Sequence, residues 1–294
     1  ETLLREESLV GIVGPMCTTG VQAAGRRLQS AGVVHVSPTA TRDELSETGD
    51  TLFFRTAWRD EYQAAVQAEY LRADLGADAA VVIDDGEPYG RALADTFAAQ
   101  FAALGGTVQS RERIARGSSD FATLAQQIVA AAPEAVVFEG LNPEGALLVR
   151  ALRAANYTGA FVAPDGVLSV RDFIGNAASD AENAVLTGGP TPGEGYIALF
   201  RARYQRDPTT PFVLQSHDAM TVLLNAIEVA AEDAGGGRLR IDRGAVAAAL
   251  RGISFDGVTG RIDFNEQGDR VGATPRELGL TIYRVVQSQF VVVE

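Results

Sequence analysis

Lysine is absent from this chain: all 25 of its basic residues are Arg. That excludes Schiff-base chemistry on a lysine and a phosphate-gripping P-loop lysine. Cysteine and histidine are nearly absent as well. One Cys (Cys17) and two His (His35, His217) cannot build a zinc site of three or four Cys/His ligands. A carboxylate-rich metal site stays open, but no carboxylates fall at a calcium-loop spacing. No apolar run approaches the roughly 20 residues of a membrane span. No signal peptide is visible, because the chain opens with the charged stretch Glu1 to Glu7. Basic residues are outnumbered by 38 Asp and Glu, for a net charge of −13. That balance argues against nucleic acid, which needs a basic footprint, and against anionic membrane surfaces. No Gly-x-Ser-x-Gly elbow occurs, and no Gly-x-Gly-x-x-Gly follows a strand, so an enzyme is not expected. Asp84-Asp85-Gly86 and Asp165 could form an acid pair, but no partner nucleophile is evident. Cys17 reads as a small buried or half-buried residue, or as half of a disulfide whose partner lies outside this sequence.

What is present is a regular alternation over 294 residues, a length that suggests about two domains. Short β-branched runs alternate with longer Ala- and Leu-rich amphipathic stretches. Strands are expected at 9–13, 33–36, 53–55, 79–83, 107–113, 135–139 and 160–163. Helices are expected at 22–31, closed by Gly32, and at 60–75, 90–104, 121–131, 143–155, 192–205, 217–234 and 243–250. The tail differs: 261–264 and 278–293 read as antiparallel strands around the turn Asn265-Glu266-Gln267-Gly268-Asp269. The pattern predicts an α/β protein with mainly parallel sheets. Gly235-Gly236-Gly237 is the one floppy stretch and reads as a surface loop. No Pro/Gly/Ser-rich tether separates two halves, so two domains would be joined by several short crossovers.

Two strand ends form the first concave feature. Gly14-Pro15-Met16-Cys17-Thr18-Thr19-Gly20 follows one strand and leads into a helix. Ser37-Pro38-Thr39-Ala40-Thr41 follows the next strand. In an open α/β sheet, ligands sit outside the carboxyl ends of the strands. Hydroxyls and free N–H groups at a helix N-terminus suit a small anion. Thr18, Thr19 and Thr41 could equally be plain helix caps.

Taken in order, these loops, Phe54-Arg55-Thr56, Pro88-Tyr89-Gly90, Asp120-Phe121, Pro164-Asp165-Gly166 and Phe264-Asn265-Glu266-Gln267-Gly268-Asp269 resemble one family over essentially the whole chain. It is the type I periplasmic binding proteins of the branched-chain amino-acid class, the substrate-binding subunits of ABC importers, typified by the leucine/isoleucine/valine-binding protein. The resemblance implies an α/β fold of two doubly wound lobes joined by three crossovers and closing by a hinge on the ligand. Lobe 1 would hold residues 1–56 and 191–264, and lobe 2 residues 57–190 and 265–294. The function implied is an extracellular solute-binding protein that takes an amino acid, or a polar or aromatic carboxylate, and passes it to a membrane permease. No cofactor, metal or nucleic acid is implied. A ligand-sensing receptor or an amide-responsive regulator of the same fold is the alternative.

Roles carried over on matching positions are specific. Thr18, with its backbone N–H, would grip a ligand carboxylate. Thr39 and Thr41 would flank carboxylate and amine, with Thr19 and Ala40 in the same turns. Tyr89 would line the cleft, and Asp165 would pair with the ammonium. An amino acid is a zwitterion, so its site needs donors for one end and an acceptor for the other. Tyr89 could instead pack on its own lobe, and Asp165 could be a turn former. Three positions depart from the family pattern. Asp165 stands where a Glu is frequent, Leu141 where an aromatic is common, and His217 where another aromatic is expected. His217 either hydrogen-bonds a polar ligand side chain or begins a helix. Trp58 is either a hinge packing residue or a ligand wall. These departures leave a polar or larger ligand as open as an aliphatic one.

The family also opens with a strand, a helix and a second strand ahead of the Gly-Pro loop, of which only Glu1 to Glu7 has a counterpart. The resemblance therefore implies an omitted N-terminal strand-helix-strand. That segment would carry the signal peptide of a periplasmic or extracellular protein, lipid-anchored or free, and some of the ligand contacts. It is one place for a disulfide partner of Cys17.

Overall fold

The computed structural model describes residues 2–293. In chain order it begins with β1 (Gly11–Val13), α1 (Thr18–Ser30), β2 (Val34–Ser37) and β3 (Phe53–Arg55). Next come α2 (Asp60–Glu69), β4 (Ala79–Asp84), α3 (Pro88–Ala103), β5 (Thr107–Arg113), α4 (Ala122–Ala131) and β6 (Ala135–Glu139). Then follow α5 (Glu144–Ala154), β7 (Ala160–Ala163), the single turn α6 (Gly175–Ala177), β8 (Val185–Gly188) and α7 (Glu194–Tyr204). The last third holds α8 (Val213–Ala230), β9 (Ala231–Asp233), β10 (Leu239–Ile241), α9 (Arg243–Arg251), β11 (Ser254–Gly257), β12 (Gly260–Asp263), β13 (Thr281–Val286) and β14 (Gln289–Val292).

Backbone contacts divide the chain into two units. Unit 1 runs up to Arg59 and includes Gly189–Gly193 and Phe212–Gly279; unit 2 takes Asp60–Gly188, Glu194–Pro211 and everything from Leu280. The boundaries drawn on sequence fell after Thr56, Pro190 and Phe264. One difference is the segment 265–279 with its turn around Asn265–Asp269, which groups with unit 1. Arg55 explains it: its N–H donates to Gly268 O (2.9 Å) and its Nε to Asp269 Oδ1 (2.6 Å). Helix α7 groups with unit 2, so the chain passes between the units five times rather than the three expected.

Unit 2 is built on a seven-stranded sheet, ordered β14-β13-β8-β7-β6-β4-β5. The strands from β8 to β5 are parallel and β13 and β14 antiparallel. β4 (Ala-Ala-Val-Val-Ile-Asp) and β6 (Ala-Val-Val-Phe-Glu) are near-continuous apolar runs because helices cover both faces. Alternation sorts their side chains onto opposite faces. Val81, Ile83, Val136 and Phe138 join one core cluster. Ala80, Val82, Ala135 and Val137 join another, with α2 and α3. β5 alternates exposed and half-buried residues, as fits an edge strand. Strand order reverses direction at β4, so the topological switch point lies at the carboxyl ends of β4 and β6.

Unit 1 has a parallel three-stranded sheet, β1-β2-β3, and two antiparallel ribbons, β9–β10 and β11–β12. Its main core joins Val34, Val36 and Phe54 of the sheet to Val222 and Leu223 of α8 and to Val246 and Leu250 of α9. Helix α1 begins at Thr18, four residues before the predicted start, so Thr18 and Thr19 are its first helical residues and Cys17 is the N-cap. Gly32 (φ +67°) follows its C-cap, Ala31, as predicted. The β9–β10 ribbon and β11 are not foreseen by sequence: they are short and carry no sustained alternation. The Gly235–Gly237 run is the loop of the β9–β10 ribbon, all three at positive φ. The single strand predicted at 278–293 is a hairpin, turning at Gln287 and Ser288, both at positive φ.

Candidate functional site

Each unit presents a polar cluster at the carboxyl ends of its parallel strands. In unit 1 the turn after β1 and the turn after β2 are laced together. Ser37 Oγ donates to Pro15 O (2.6 Å) and accepts from Ala40 N (3.1 Å), and Thr39 Oγ1 donates to Met16 O. These bonds set Thr39, Ala40 and Thr41 beside the start of α1. Thr18 is buried, and Thr41 is buried with its hydroxyl lacking any hydrogen-bond partner. The first N–H groups of α1 have no partner within the helix, and Cys17 gives no side-chain cap. Thr18 and Thr41 are therefore not caps of the kind the sequence left open. The result is a cluster of donors with a positive helix end, suited to an anion.

Arg55 fixes this surface from below. Besides Asp269, its Nη1 reaches Ala40 O (3.2 Å) and Arg42 O (2.7 Å), and its Nη2 reaches Ser46 Oγ (2.8 Å) and Asp43 O (3.4 Å). The guanidinium is fully buried, so its donors must be spent on such partners. Trp58 is buried and stacks on Phe212, ring centroids 5.3 Å apart. His217 sits in the second turn of α8 on its exposed side, not at a helix start. Its neighbour Asp218 faces inward and accepts from Val258 N, Thr259 N and Thr259 Oγ1. Arg270 completes that knot through Thr259 and Leu278, and burial pulls its pKa down to about 10 against the opposing pull of Asp218. Cys17 is exposed, not buried or half-buried as one sequence reading had it, and its Sγ lies 3.4 Å from Thr19 Oγ1.

In unit 2 the Tyr89 hydroxyl, at the start of α3, donates to Asp165 Oδ1 at 2.8 Å. Asp165 follows β7, and Gly166 beside it packs close to Leu141 and Tyr89, so all three sequence-predicted residues of this unit come together. Asp165 is buried. Burial pushes its pKa up to about 6, while hydrogen bonds from Tyr89 and Gln63 act the other way. The Tyr89 phenol is pushed well above its usual pKa by burial and by Asp165, Asp60 and Glu139.

That last pair was not singled out in the sequence. Asp60, Gln63 and Gln67 lie on the inward face of α2, and all are fully buried. Glu139 ends β6, fully buried, on the face shared with Ala135 and Val137. Two signals were available: a charge closing an apolar strand, and polar residues at helical spacing among alanines. Both acids of Asp84-Asp85 have an arginine nearby. Asp84 is paired with Arg113 (2.7 Å), and Arg116 lies between Glu144 (2.5 Å) and Asp85 (3.9 Å). Among the described residues no group of three or more His, Cys, Asp or Glu is placed to hold a metal ion. No described helix is long and apolar enough to cross a membrane.

The decisive comparison is with protein families: the periplasmic binding protein model matches residues 1–287. This chain belongs to the periplasmic binding protein family. The family is one of binding proteins rather than enzymes, as the sequence led us to expect. A similar curated relative is the leucine-, isoleucine-, valine-, threonine- and alanine-binding protein of Pseudomonas aeruginosa, 31% identical over 264 residues, covering 88% of this chain and 68% of the relative. A Leu/Ile/Val-binding protein of Rhizobium johnstonii is 32% identical over 266 residues, covering 88% and 69%. Among solved structures, a leucine-binding protein of Thermotoga maritima superposes with a TM-score of 0.85 at 24% identity, over 98% of this chain and 80% of that one. A branched-chain amino-acid transporter substrate-binding protein of Streptococcus pneumoniae, in complex with isoleucine, gives 0.84 at 22% identity, over 99% and 81%. The α/β architecture expected from the sequence is the fold of these periplasmic binding proteins.

Proposed function

We propose that this chain is the substrate-binding subunit of an ABC importer, working in the periplasm or outside the cell, and that it binds an amino acid or a related small carboxylate. The Tyr89–Asp165 pair carries the reading. Asp165 is a buried acid whose partners, a hydroxyl and an amide, are both neutral. A buried carboxylate of this kind gains most from a cationic partner. In unit 1 the α1 N-terminus with Thr18 and Thr41 offers donors to a carboxylate. An α-amino acid carries both groups. The relatives named for leucine, isoleucine and valine support the same class.

In this reading Thr18, Thr39 and Thr41 hold the carboxylate, with Thr19 and Ala40 shaping the turns. Asp165 takes the ammonium, Tyr89 orients Asp165, and Leu141 lines the site. His217 and Trp58 are the remaining unit 1 candidates. The loaded protein then delivers its ligand to a membrane permease.

A thermal-shift and calorimetry panel of the amino acids, aromatic acids and amides tests this. A ligand at 100 times its Kd stabilises by about 2.7 kcal/mol. The Asp165→Ala variant is expected to weaken an α-amino acid by about 100-fold or more, the cost of stranding one partner of a buried charge pair. It should leave the affinity of the des-amino analogue nearly unchanged. No binding anywhere in the panel refutes the proposal.

A further inference from the structure

Unit 2 holds more acid than one ammonium needs. Glu139 is fully buried, and neither of its carboxyl oxygens has a hydrogen-bond partner. It closes β6 at the topological switch point, where open α/β sheets bind ligands. Its surroundings are acceptors. Burial first, then the charges of Asp60 and Asp165, push its pKa well above the usual carboxylate range, and Asp85 adds to this. The nearby Gln67 amide acts the other way with a smaller effect; its Nε2 donates to Thr187 Oγ1 (3.2 Å), and its Oε1 is buried without a partner. Two nearby arginines have other partners: Arg113 is paired with Asp84, and Arg116 lies between Glu144 and Asp85. A metal ion does not fit, since no described cluster has the ligands in place. What Glu139 itself lacks is a partner with positive charge.

We propose that the ligand carries a second cationic group, an ammonium or guanidinium on its side chain, and that Glu139 receives it. The ligand class is then a basic amino acid. This rests on the amino-acid reading above and adds a role for a residue outside the Tyr89–Asp165 pair. When the cation arrives, a Glu139 that holds its proton in the empty protein gives it up to solvent, and the carboxylate and cation pair inside the unit. Burial of both charges is tolerable because each then has its partner.

The experiment compares ligands that differ in that group alone: L-lysine with L-norleucine, and L-arginine with L-citrulline, by calorimetry on the full chain in two buffers of different ionisation enthalpy. The basic member of each pair is expected to bind about ten- to hundredfold tighter, the range of a charged hydrogen bond. Its binding should release protons at pH values where Glu139 of the empty protein still holds its own. In the near-isosteric Glu139→Gln variant, the lysine-to-norleucine ratio should collapse toward one and the proton release should disappear. Equal or tighter binding of norleucine and citrulline overturns this inference and leaves the amino-acid reading standing. Failure of every α-amino acid to bind overturns both.

Discussion

A buried hydroxyl without a partner, as at Thr41, costs stability unless something else satisfies it. Thr41→Val keeps the shape and removes the unmet group. Urea denaturation should show no loss of stability in the empty protein, while calorimetry shows weaker ligand binding; a large loss of stability would mean that the hydroxyl is structural. Asp165 gives a second residue-level test. Its folded pKa of about 6 lies above the ordinary 3.8. Such an acid holds its proton more tightly when folded. Its destabilising effect is absent at pH values below about 3.8, grows as pH rises, and is complete above about 6. Asp165→Asn should therefore stabilise the empty protein near pH 7.5, by at most about 3 kcal/mol, with the gain vanishing toward pH 4. A gain that does not change with pH would contradict the burial account. Asp165 was legible because it sits between Pro164 and Gly166 at a strand end. Glu139 was not: an acid closing an apolar strand looks the same whether it turns outward or, as here, stays on the covered face with Val137.

The parallel strands and the helices between them were the legible elements, since each is long enough for its period to show. The short ribbons β9–β10 and β11–β12 lie in exposed or half-buried segments where neither period dominates. The turn of the β11–β12 ribbon is held by tertiary anchors, Asp218 and Arg270, which no local pattern announces. Arg55 is the clearest case of an element held from a distance, because β3 carries the side chain that pins both the 40–46 turn and Asp269. Removing it leaves the buried Asp269 with Arg59 at 3.6 Å as its remaining cation and frees several backbone carbonyls. Arg55→Ala should cost about 3–5 kcal/mol in denaturant unfolding, as for other broken buried pairs. If it costs less than about 1 kcal/mol, the cluster is supported by something other than this guanidinium.

For the molecule as a whole, the net charge of −13 sets a field that acts before any contact is made. A ligand with net positive charge should associate faster with this protein than its neutral analogue. That advantage should shrink as salt shortens the Debye length from about 30 Å at 0.01 M to about 8 Å at 0.15 M. Stopped-flow association of lysine should slow over that range, and that of norleucine should not; identical salt dependence would remove electrostatic steering.

The exposed thiol at the N-cap of α1 has a practical use. Cys17 is the sole sulfhydryl in the chain, it reaches solvent, and the residue after it is Thr18. On this 294-residue chain a maleimide dye therefore attaches at one defined spot and reports from the turn where the carboxylate of a ligand is expected to dock. Labelled there, these 294 residues would turn ligand docking at that turn into an optical signal.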